Sequence, residues 1–384
     1  MTAAYSIPLS GPDVTQREID AVLAVLATPQ LSLGPRLPEF EKRIAAFTGA
    51  KHALAVNSGT SGLHLCIRAL GIADGDEVIT TPFSFIASAN CALFERAKPV
   101  FVDIDPVTLN IDPAKIETAI TPRTKAILPV DVFGLPADMK RICAIAEKHG
   151  LAVIEDSCEA LGASIDGRQA GRWGDCGVFG FYPNKQMTTG EGGAIITDRD
   201  DIAALCASMR NQGRDDGMGW LAHARLGYNY RLSDINCALG IAQLERMDGI
   251  LAARAQVAAW YAAELAALAP HVIRPPEPPA GVVRSWFVYV IQLPGGYTAE
   301  QRNALITHLR GRGIGCSHYF PCIHLQPLYA KSFGYARGDF PVTEGISDRT
   351  MALPFFNRLT QPQVNTVVRE LAAWLAANTP GGRA

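Results

Sequence analysis

Apolar, strand-like segments alternate with helix-like segments along most of this chain, up to about Leu239. The strand-like runs read as apolar almost throughout, as in LAVIEDS (151–157), and helical patterns such as SGLHLCIRAL (61–70) and ADMKRICAIAEKHG (137–150) separate them. Strands that are buried on both faces have this character, and strand–helix alternation is typical of parallel sheets. The sequence therefore predicts an α/β fold: a three-layer large domain with a mostly parallel mixed sheet covered on both faces.

The pattern changes after Leu239. Residues 242–268 read as one long helix, and a proline-rich stretch, RPPEPPAG (274–281), follows it. Such a stretch is typical of a domain boundary. Beyond it, SWFVYVIQL (285–293) predicts a strand and residues 298–313 a helix. We therefore expect a large domain over 1–250 and a smaller α+β C-terminal domain over 251–384.

Composition excludes several classes of partner. The formal net charge of −2 gives no electrostatic reason to bind nucleic acid or an acidic membrane. The nine cysteines are scattered, mostly in apolar segments, which favours reduced thiols over a disulfide framework. The first residues, MTAAYSIPLSGPD, lack the features of a signal peptide, and no apolar run is long enough for a membrane helix. These features predict a cytoplasmic protein.

Ligands of open α/β sheets bind beyond the carboxyl ends of the strands, so the residues after each predicted strand are the candidates. The turn Ser58-Gly59-Thr60 follows the first strand and precedes a helix. It could hold a phosphate at the helix N-terminus, or it could simply cap the helix. After the second strand, Phe83 or Phe85 could stack on a flat ligand, although an aromatic residue there is more often part of the core.

Two further features follow later strands. Glu155 and Asp156 end a strand that should be buried, where a carboxylate needs a partner, either a structural salt bridge or a ligand. Lys185 stands in FYPNKQMTTGEGG (181–193) and is followed by threonines and glycines, which let backbone come close to a bulky group. Most lysines are solvated surface residues, so Lys185 alone indicates nothing.

Taken together, these four features match the needs of pyridoxal phosphate. Its aldehyde forms a Schiff base with a lysine, its ring nitrogen needs a carboxylate, and its phosphate needs N–H and hydroxyl donors. Competing fingerprints for nicotinamide dinucleotides, for P-loop nucleotides and for zinc proteases are missing from the sequence. Cys316, His318, Cys322 and His324 are close in sequence, but their spacing is not a usual zinc pattern, so no metal is expected.

At this point the sequence resembles the DegT/DnrJ/StrS family of sugar aminotransferases along nearly its whole length. The motifs that carry the resemblance are NSGTSGLHL (57–65), DVFGLPADM (131–139), IEDSCEALGA (154–163), FYPNKQMTTGEGGAIIT (181–197), LGYNYRLSDINCALGIAQLERMD (226–248) and HYFPCIHLQPLY (318–329). The resemblance implies the aspartate aminotransferase type of fold, pyridoxal phosphate as cofactor, and a homodimer with active sites at its interface.

The resemblance also implies a role for individual residues. Lys185 matches the lysine that forms the Schiff base, and Asp156 matches the partner of the ring nitrogen. Ser58, Gly59 and Thr60 match the phosphate-binding turn, and Phe85 matches the aromatic residue that stacks on the cofactor ring. Asn229 matches a residue that reaches the cofactor phosphate of the neighbouring subunit. Arg231 and His324 match positions near the amino donor and the sugar.

Two positions depart from the usual family pattern. Gly180 stands where many members have a phosphate-binding serine, so the chain must hold the phosphate through Thr60, backbone amides and Asn229. Glu159 stands where many members have glutamine, facing the cofactor's phenolic oxygen or the sugar. An acid at this position is similar to the branch with perosamine synthases, which implies amination at carbon 4 of a nucleotide-linked 4-keto-6-deoxy sugar.

The expected reaction takes an amino group from a donor, glutamate by resemblance, and passes it to a keto sugar. Two alternatives are a cyclitol aminotransferase of aminoglycoside pathways and a non-catalytic regulatory homologue. Two others are disfavoured: a sugar dehydratase of the same family, which has histidine where Lys185 stands here, and a nicotinamide dehydrogenase, whose phosphate fingerprint is missing. The sequence does not identify the sugar, its nucleotide or the pathway product.

Overall fold

The computed structural model describes residues 5–219 and 221–378. Its strands are β1 His52–Val56, β2 Glu77–Thr80, β3 Lys98–Phe101, β4 Thr124–Ile127, β5 Ala152–Asp156, β6 Ser164–Ile165, β7 Arg168–Gln169, β8 Cys176–Gly180, β9 Gly193–Thr197, β10 Val282–Val283, β11 Tyr289–Gln292 and β12 Thr350–Leu353. Its helices are α1 Gln16–Leu26, α2 Arg36–Thr48, α3 Gly59–Ala69, α4 Ala87–Leu93, α5 Pro113–Ala119, α6 Met139–His149, α7 Asp200–Arg210, α8 Asp234–Leu244, α9 Met247–Ala266, α10 Ala299–Gly311, α11 Pro327–Phe333, α12 Pro341–Ser347 and α13 Gln361–Ala377.

The central sheet has seven strands in the order β1-β9-β8-β5-β4-β2-β3. The pairs from β8 to β3 are all parallel, whereas β9 runs antiparallel to both β1 and β8. The prediction of a mostly parallel mixed sheet is confirmed. Because β9 is the reversed strand, β1 points the same way as β8, and the carboxyl ends of β1, β2, β5 and β8 share one edge.

Helices cover both faces of this sheet. Along β1, Leu54 and Val56 pack into the core that includes Leu63 and Ile67 of α3. Ala55, between them, packs on the opposite face in a core with Phe40 and Ile44 of α2. Successive side chains of a strand point to opposite faces, so both faces are apolar and the strand reads as a continuous hydrophobic run. The three-layer prediction is therefore confirmed.

The single long helix predicted over 242–268 is wrong. The structure has two helices, α8 and α9, with a turn at Glu245 and Arg246 between them. The Arg246 side chain explains the break, because its guanidinium donates to Glu18 Oε1 at 2.8 Å and to the Asp13 carbonyl at 2.7 Å. These bonds fix the chain where it changes direction. Helical periodicity continues through the turn, so the sequence pattern hides it.

A separate apolar core lies in the C-terminal part of the chain. It joins the antiparallel pair β11 and β12 to residues of α9, α10 and α13, and it also includes Ile7 from the N-terminal segment. The division into domains at residue 250 stays a prediction. Within the described residues, no helix has both the length and the apolar character needed to span a bilayer.

Candidate active site

A cavity of about 490 Å³ opens at the sheet edge where the carboxyl ends of the parallel strands meet. Seven of the sequence-predicted site residues line it: Ser58, Gly59, Thr60, Phe85, Asp156, Glu159 and Lys185. They come from loops after four different strands, so the sheet topology is what brings them together. Three others, Asn229, Arg231 and His324, do not line this cavity.

The turn after β1 forms the amino end of α3. Ser58 is the N-cap, and its Oγ accepts a hydrogen bond from the Ser61 N–H at 3.0 Å. The capping interpretation of this turn is confirmed, and the same turn faces the cavity. A Cβ atom on Gly59 would lie 2.7 Å from Cys158 Sγ, so a larger residue would require the Cys158 side chain to shift. Free N–H groups at a helix start favour an anion such as phosphate.

The two candidate stacking rings after β2 lie in different places. Phe83 is fully buried and packs in the core against Phe133 and Phe320. Phe85 lines the cavity with 62% of its surface exposed. An apolar ring with this exposure at the mouth of a cavity is available to stack on a flat ligand.

Asp156 lies at the end of β5 and is 5% exposed. Its Oδ2 accepts a hydrogen bond from Ser88 Oγ at 2.7 Å, and its Oδ1 accepts one from the Cys158 N–H at 3.2 Å. Ser88 in turn lies 2.8 Å from Ser84 Oγ. The carboxylate is thus held by neutral donors, so its charge is not neutralised by a structural salt bridge among the described residues.

Lys185 projects its amine between a carboxylate and an aromatic ring. The Nζ atom lies 3.5 Å from Glu159 Oε1 and 3.9 Å from the centroid of the Phe287 ring. The other carboxylate oxygen of Glu159 accepts from the Phe133 N–H at 2.9 Å. Burial raises the pKa of Glu159, and the nearby Lys185 charge opposes that rise. The amine is therefore placed in the cavity wall and is not a solvated surface group.

Gly180, where a serine is usual, also lines the cavity. A Cβ atom there would meet its nearest neighbour, Cys158 Cβ, at 3.4 Å, which is ordinary contact. The backbone at position 180 therefore has room for a Cβ atom. The donors that remain at this end of the cavity are Thr60 and the N–H groups at the start of α3.

The three remaining predicted residues lie elsewhere, and their roles stay predictions. Asn229 is exposed on a segment paired with Asn211, and Arg231 donates to Asn211 Oδ1 at 3.1 Å. His324 is fully buried, with Nε2 3.0 Å from Glu344 Oε1, and burial lowers its pKa.

The cysteines and histidines of 316–324 do not converge on one point. Cys316 Sγ contacts the Ile306 carbonyl, His318 Nε2 the Ser347 carbonyl, and Cys322 Sγ the Thr343 carbonyl. Among the residues that the structure describes, no group of three or more His, Cys, Asp or Glu side chains could hold a metal ion.

Two buried acids, Asp131 and Glu155, both contact the hydroxyl group of Ser157. Ser157 Oγ lies 2.6 Å from Asp131 Oδ2 and 3.3 Å from Glu155 Oε1. A hydroxyl donates only one hydrogen bond, so both contacts are hydrogen bonds only if one acid is protonated. Backbone N–H groups of Gly171 and Trp173 donate to the two oxygens of Glu155, whose pKa burial raises to about 8. Burial raises the pKa of Asp131 to about 7.

Asp131→Asn is expected to change how stability depends on pH. The pKa of Asp131 is about 7 in the folded protein, above its value of about 4 in the unfolded chain. The stability that this difference contributes is therefore complete below about pH 4 and is lost as pH rises toward about 7. Asparagine keeps the hydrogen bonds to Ser157 and to the Ala137 N–H without ionising. Above about pH 7 the variant should therefore melt higher than the native protein, by roughly 2 °C or more. Melting curves across pH measure this, and a variant that melts lower at every pH would contradict it.

Sequence reasoning missed several residues of this site. Ser88 holds Asp156, Phe287 packs on Lys185, and Tyr319 and Phe320 line the cavity. A serine at the start of the helix after β2 was a signal for Ser88, since it follows the same strand end as Phe85. Nothing in the sequence pattern marked Phe287, which meets Lys185 only through the tertiary fold.

The side chains that line this cavity match the needs of a single cofactor. Pyridoxal phosphate requires an amine, a buried carboxylate, a flat apolar contact and anion donors. The cavity provides Lys185, Asp156, Phe85 and the start of α3 for these four needs. The fold and the site thus define the class of pyridoxal-phosphate-dependent transferases.

The chain belongs to the DegT/DnrJ/EryC1/StrS aminotransferase family, whose model matches residues 12–372. It is 41% identical over 366 residues to GDP-perosamine synthase of Caulobacter vibrioides, covering 95% of this chain and 97% of that protein. Among solved structures, DesV of S. venezuelae is 34% identical with a TM-score of 0.87, covering 94% of each chain. The sugar aminotransferase Spr1654 of Streptococcus pneumoniae in its PLP form, described as putative, is 26% identical with a TM-score of 0.92, covering 97% of this chain and 99% of that chain. The family uses pyridoxal phosphate, and this protein is an aminotransferase.

Proposed function

We propose that this protein transfers an amino group from glutamate to carbon 4 of a nucleotide-linked 4-keto-6-deoxyhexose. The observation that carries the proposal is the likeness to GDP-perosamine synthase over nearly the full length of both chains, together with Lys185, Asp156 and Glu159 around one cavity. Glu159 supports the choice of carbon 4, since an acid at this position is the feature that resembles the perosamine branch.

Three side chains do the chemical work in this proposal. Bound pyridoxal phosphate supplies an aldehyde that binds amines and a ring that withdraws electrons from the carbon being deprotonated. Asp156, fixed by Ser88 Oγ at 2.7 Å, holds the proton on the ring nitrogen. Lys185 would anchor the cofactor, and its amine would be placed to take the proton from the donor's α-carbon. Glu159, 3.5 Å away, orients that amine.

The charge of the cavity supports a homodimer with shared sites. Within the described part of the chain, Lys185 is the one basic side chain among the lining residues, against the acids Asp156, Glu159 and Glu191. A cofactor phosphate and a nucleotide diphosphate together need more positive charge or more donors than this. The cavity rim exposes Phe85 by 62% and Tyr182 by 53%, apolar surface suited to a second copy. We propose that the second copy brings Asn229 to this site.

We further propose that the enzyme works in the cytoplasm. All nine cysteines are free thiols, seven of them buried. Unpaired cysteines in this number fit a reducing compartment, where disulfides rarely persist.

The proposal is tested by incubating the protein with glutamate and a panel of keto substrates. The panel contains GDP-, UDP- and dTDP-linked 4-keto-6-deoxy sugars, a 3-keto sugar nucleotide and a keto-cyclitol. We expect a product that carries an amino group at carbon 4 of one nucleotide sugar, identified by mass spectrometry and NMR. Amination of the cyclitol alone would replace the proposal with the aminoglycoside alternative. Failure to convert glutamate to its keto acid, with cofactor bound, would favour a regulatory homologue.

A further inference from the structure

The segment Ser285–Phe287, which lies between β10 and β11, contacts Lys185 through the Phe287 ring. Phe287 is 2% exposed, and its ring faces Lys185 Nζ at a centroid distance of 3.9 Å. Within this distance an ammonium group is attracted by the electron-rich face of an aromatic ring. Glu159 contacts the same nitrogen at 3.5 Å, so the amine lies between a carboxylate and a ring.

Both neighbours of Lys185 in the chain are tied to this same segment. Arg254 of α9, 2% exposed, donates to the Asn184 carbonyl at 3.2 Å and to the Phe287 carbonyl at 2.9 Å. Gln186 donates to the Ser285 carbonyl at 3.1 Å and to the Glu159 carbonyl at 2.5 Å. The residues before and after Lys185 are therefore held against the residues that carry the Phe287 ring. These buried hydrogen bonds fix the chain on both sides of Lys185 beside the segment that carries the Phe287 ring.

We propose that Phe287 is a positioning residue that holds the Lys185 ammonium against its ring and thereby controls how much of the amine is available to capture the cofactor. The proposal rests on Lys185 being the anchor, as proposed above. A cation–π contact favours the charged ammonium, whereas attack on an aldehyde requires the neutral amine. Removing the aromatic face therefore favours the neutral, reactive amine at a given pH.

The test compares Phe287→Leu with the native full-length protein freed of cofactor. Pyridoxal phosphate is added over a range of pH, and the rate of capture at Lys185 is followed by the visible absorbance of the bound cofactor. We expect the variant to capture the cofactor roughly two- to fivefold faster near neutral pH, with the pH midpoint of capture moved to lower pH. An unchanged rate and midpoint would overturn the proposal.

Two further proteins separate the electrostatics of the ring from its packing. Site-specific incorporation of 3,4,5-trifluorophenylalanine at position 287 keeps the ring's shape and weakens its attraction for cations, so it should shift the midpoint in the same direction as leucine. If the fluorinated ring behaves like the native one, Phe287 has only a packing role and the proposal fails. Phe101→Leu is the matched control, because Phe101 is also a buried ring but packs against Tyr329, Tyr335 and Phe340 and does not line the cavity; its midpoint should stay at the native value.

This experiment distinguishes the inference from the function on which it rests. If neither the native protein nor Phe287→Leu captures the cofactor at Lys185, as peptide mapping after borohydride reduction would show, the anchor assignment itself is wrong. If the native protein captures it at Lys185 and the variant does so with the same pH midpoint, only the role of Phe287 is wrong.

Discussion

Lys185→Ala should abolish turnover, with a loss of at least about 10³-fold in kcat. Alanine removes both the anchor of the cofactor and the amine that moves the proton, and no other basic side chain of the described chain lines the cavity to replace it. The measurement is the formation of amino sugar from glutamate and the accepted nucleotide keto sugar. The same sample should lack the visible absorbance of covalently bound cofactor.

The control for this variant is Lys140→Ala. Lys140 is exposed, pairs with Asp166 and does not line the cavity, so its loss should leave kcat within about twofold. Substantial activity in Lys185→Ala would remove the basis of the proposed function, because the lysine is the one residue that its chemistry cannot lack.

Asp156→Asn is expected to lower kcat by roughly 10²- to 10⁴-fold while cofactor still binds. Asparagine has the shape of aspartate and can keep the contacts to Ser88 Oγ and the Cys158 N–H. It carries no negative charge, so it cannot hold a proton on the ring nitrogen, and the ring withdraws electrons less strongly. Single-turnover absorbance with glutamate alone separates this chemical defect from weak binding of the sugar.

Ser88→Ala provides a graded comparison. It removes one hydrogen bond to the Asp156 carboxylate without changing its charge, and a bond to a charged group of this kind is worth roughly a tenfold effect or somewhat more. We expect the loss to lie between the native protein and Asp156→Asn. An Asp156→Asn enzyme with native kcat would show that this carboxylate serves packing and not the cofactor.

Much of the fold could be predicted because strand burial leaves a direct mark in sequence. Strands of uniformly apolar character, as in residues 151–157, correspond to β5 and its neighbours in a sheet covered on both faces. The turn at Glu245 and Arg246 could not be predicted, since the helical pattern continues across it and the bonds that fix it come from Asp13 and Glu18. Contacts from more than 200 residues away leave no local pattern.

The candidate site divides in the same way. Ser58, Phe85, Asp156 and Lys185 follow predicted strands, so the rule that ligands bind at carboxyl ends was enough to place them around one cavity. The contact of Phe287 with Lys185, the contact of Asp131 with Ser157 and the burial of His324 depend on which segments pack together. Periodicity and residue type do not encode such pairings.

By itself, the sequence determined the class of fold, the residues at the strand ends and the family to which the chain belongs. These properties follow from local periodicity and from motifs that lie within single segments. The tertiary structure alone decided that the Lys185 amine rests between Glu159 and the Phe287 ring, about 100 residues further along the chain. The reason is physical: the charge state and reactivity of an amine depend on the groups within a few ångströms of it, and only folding brings those groups together.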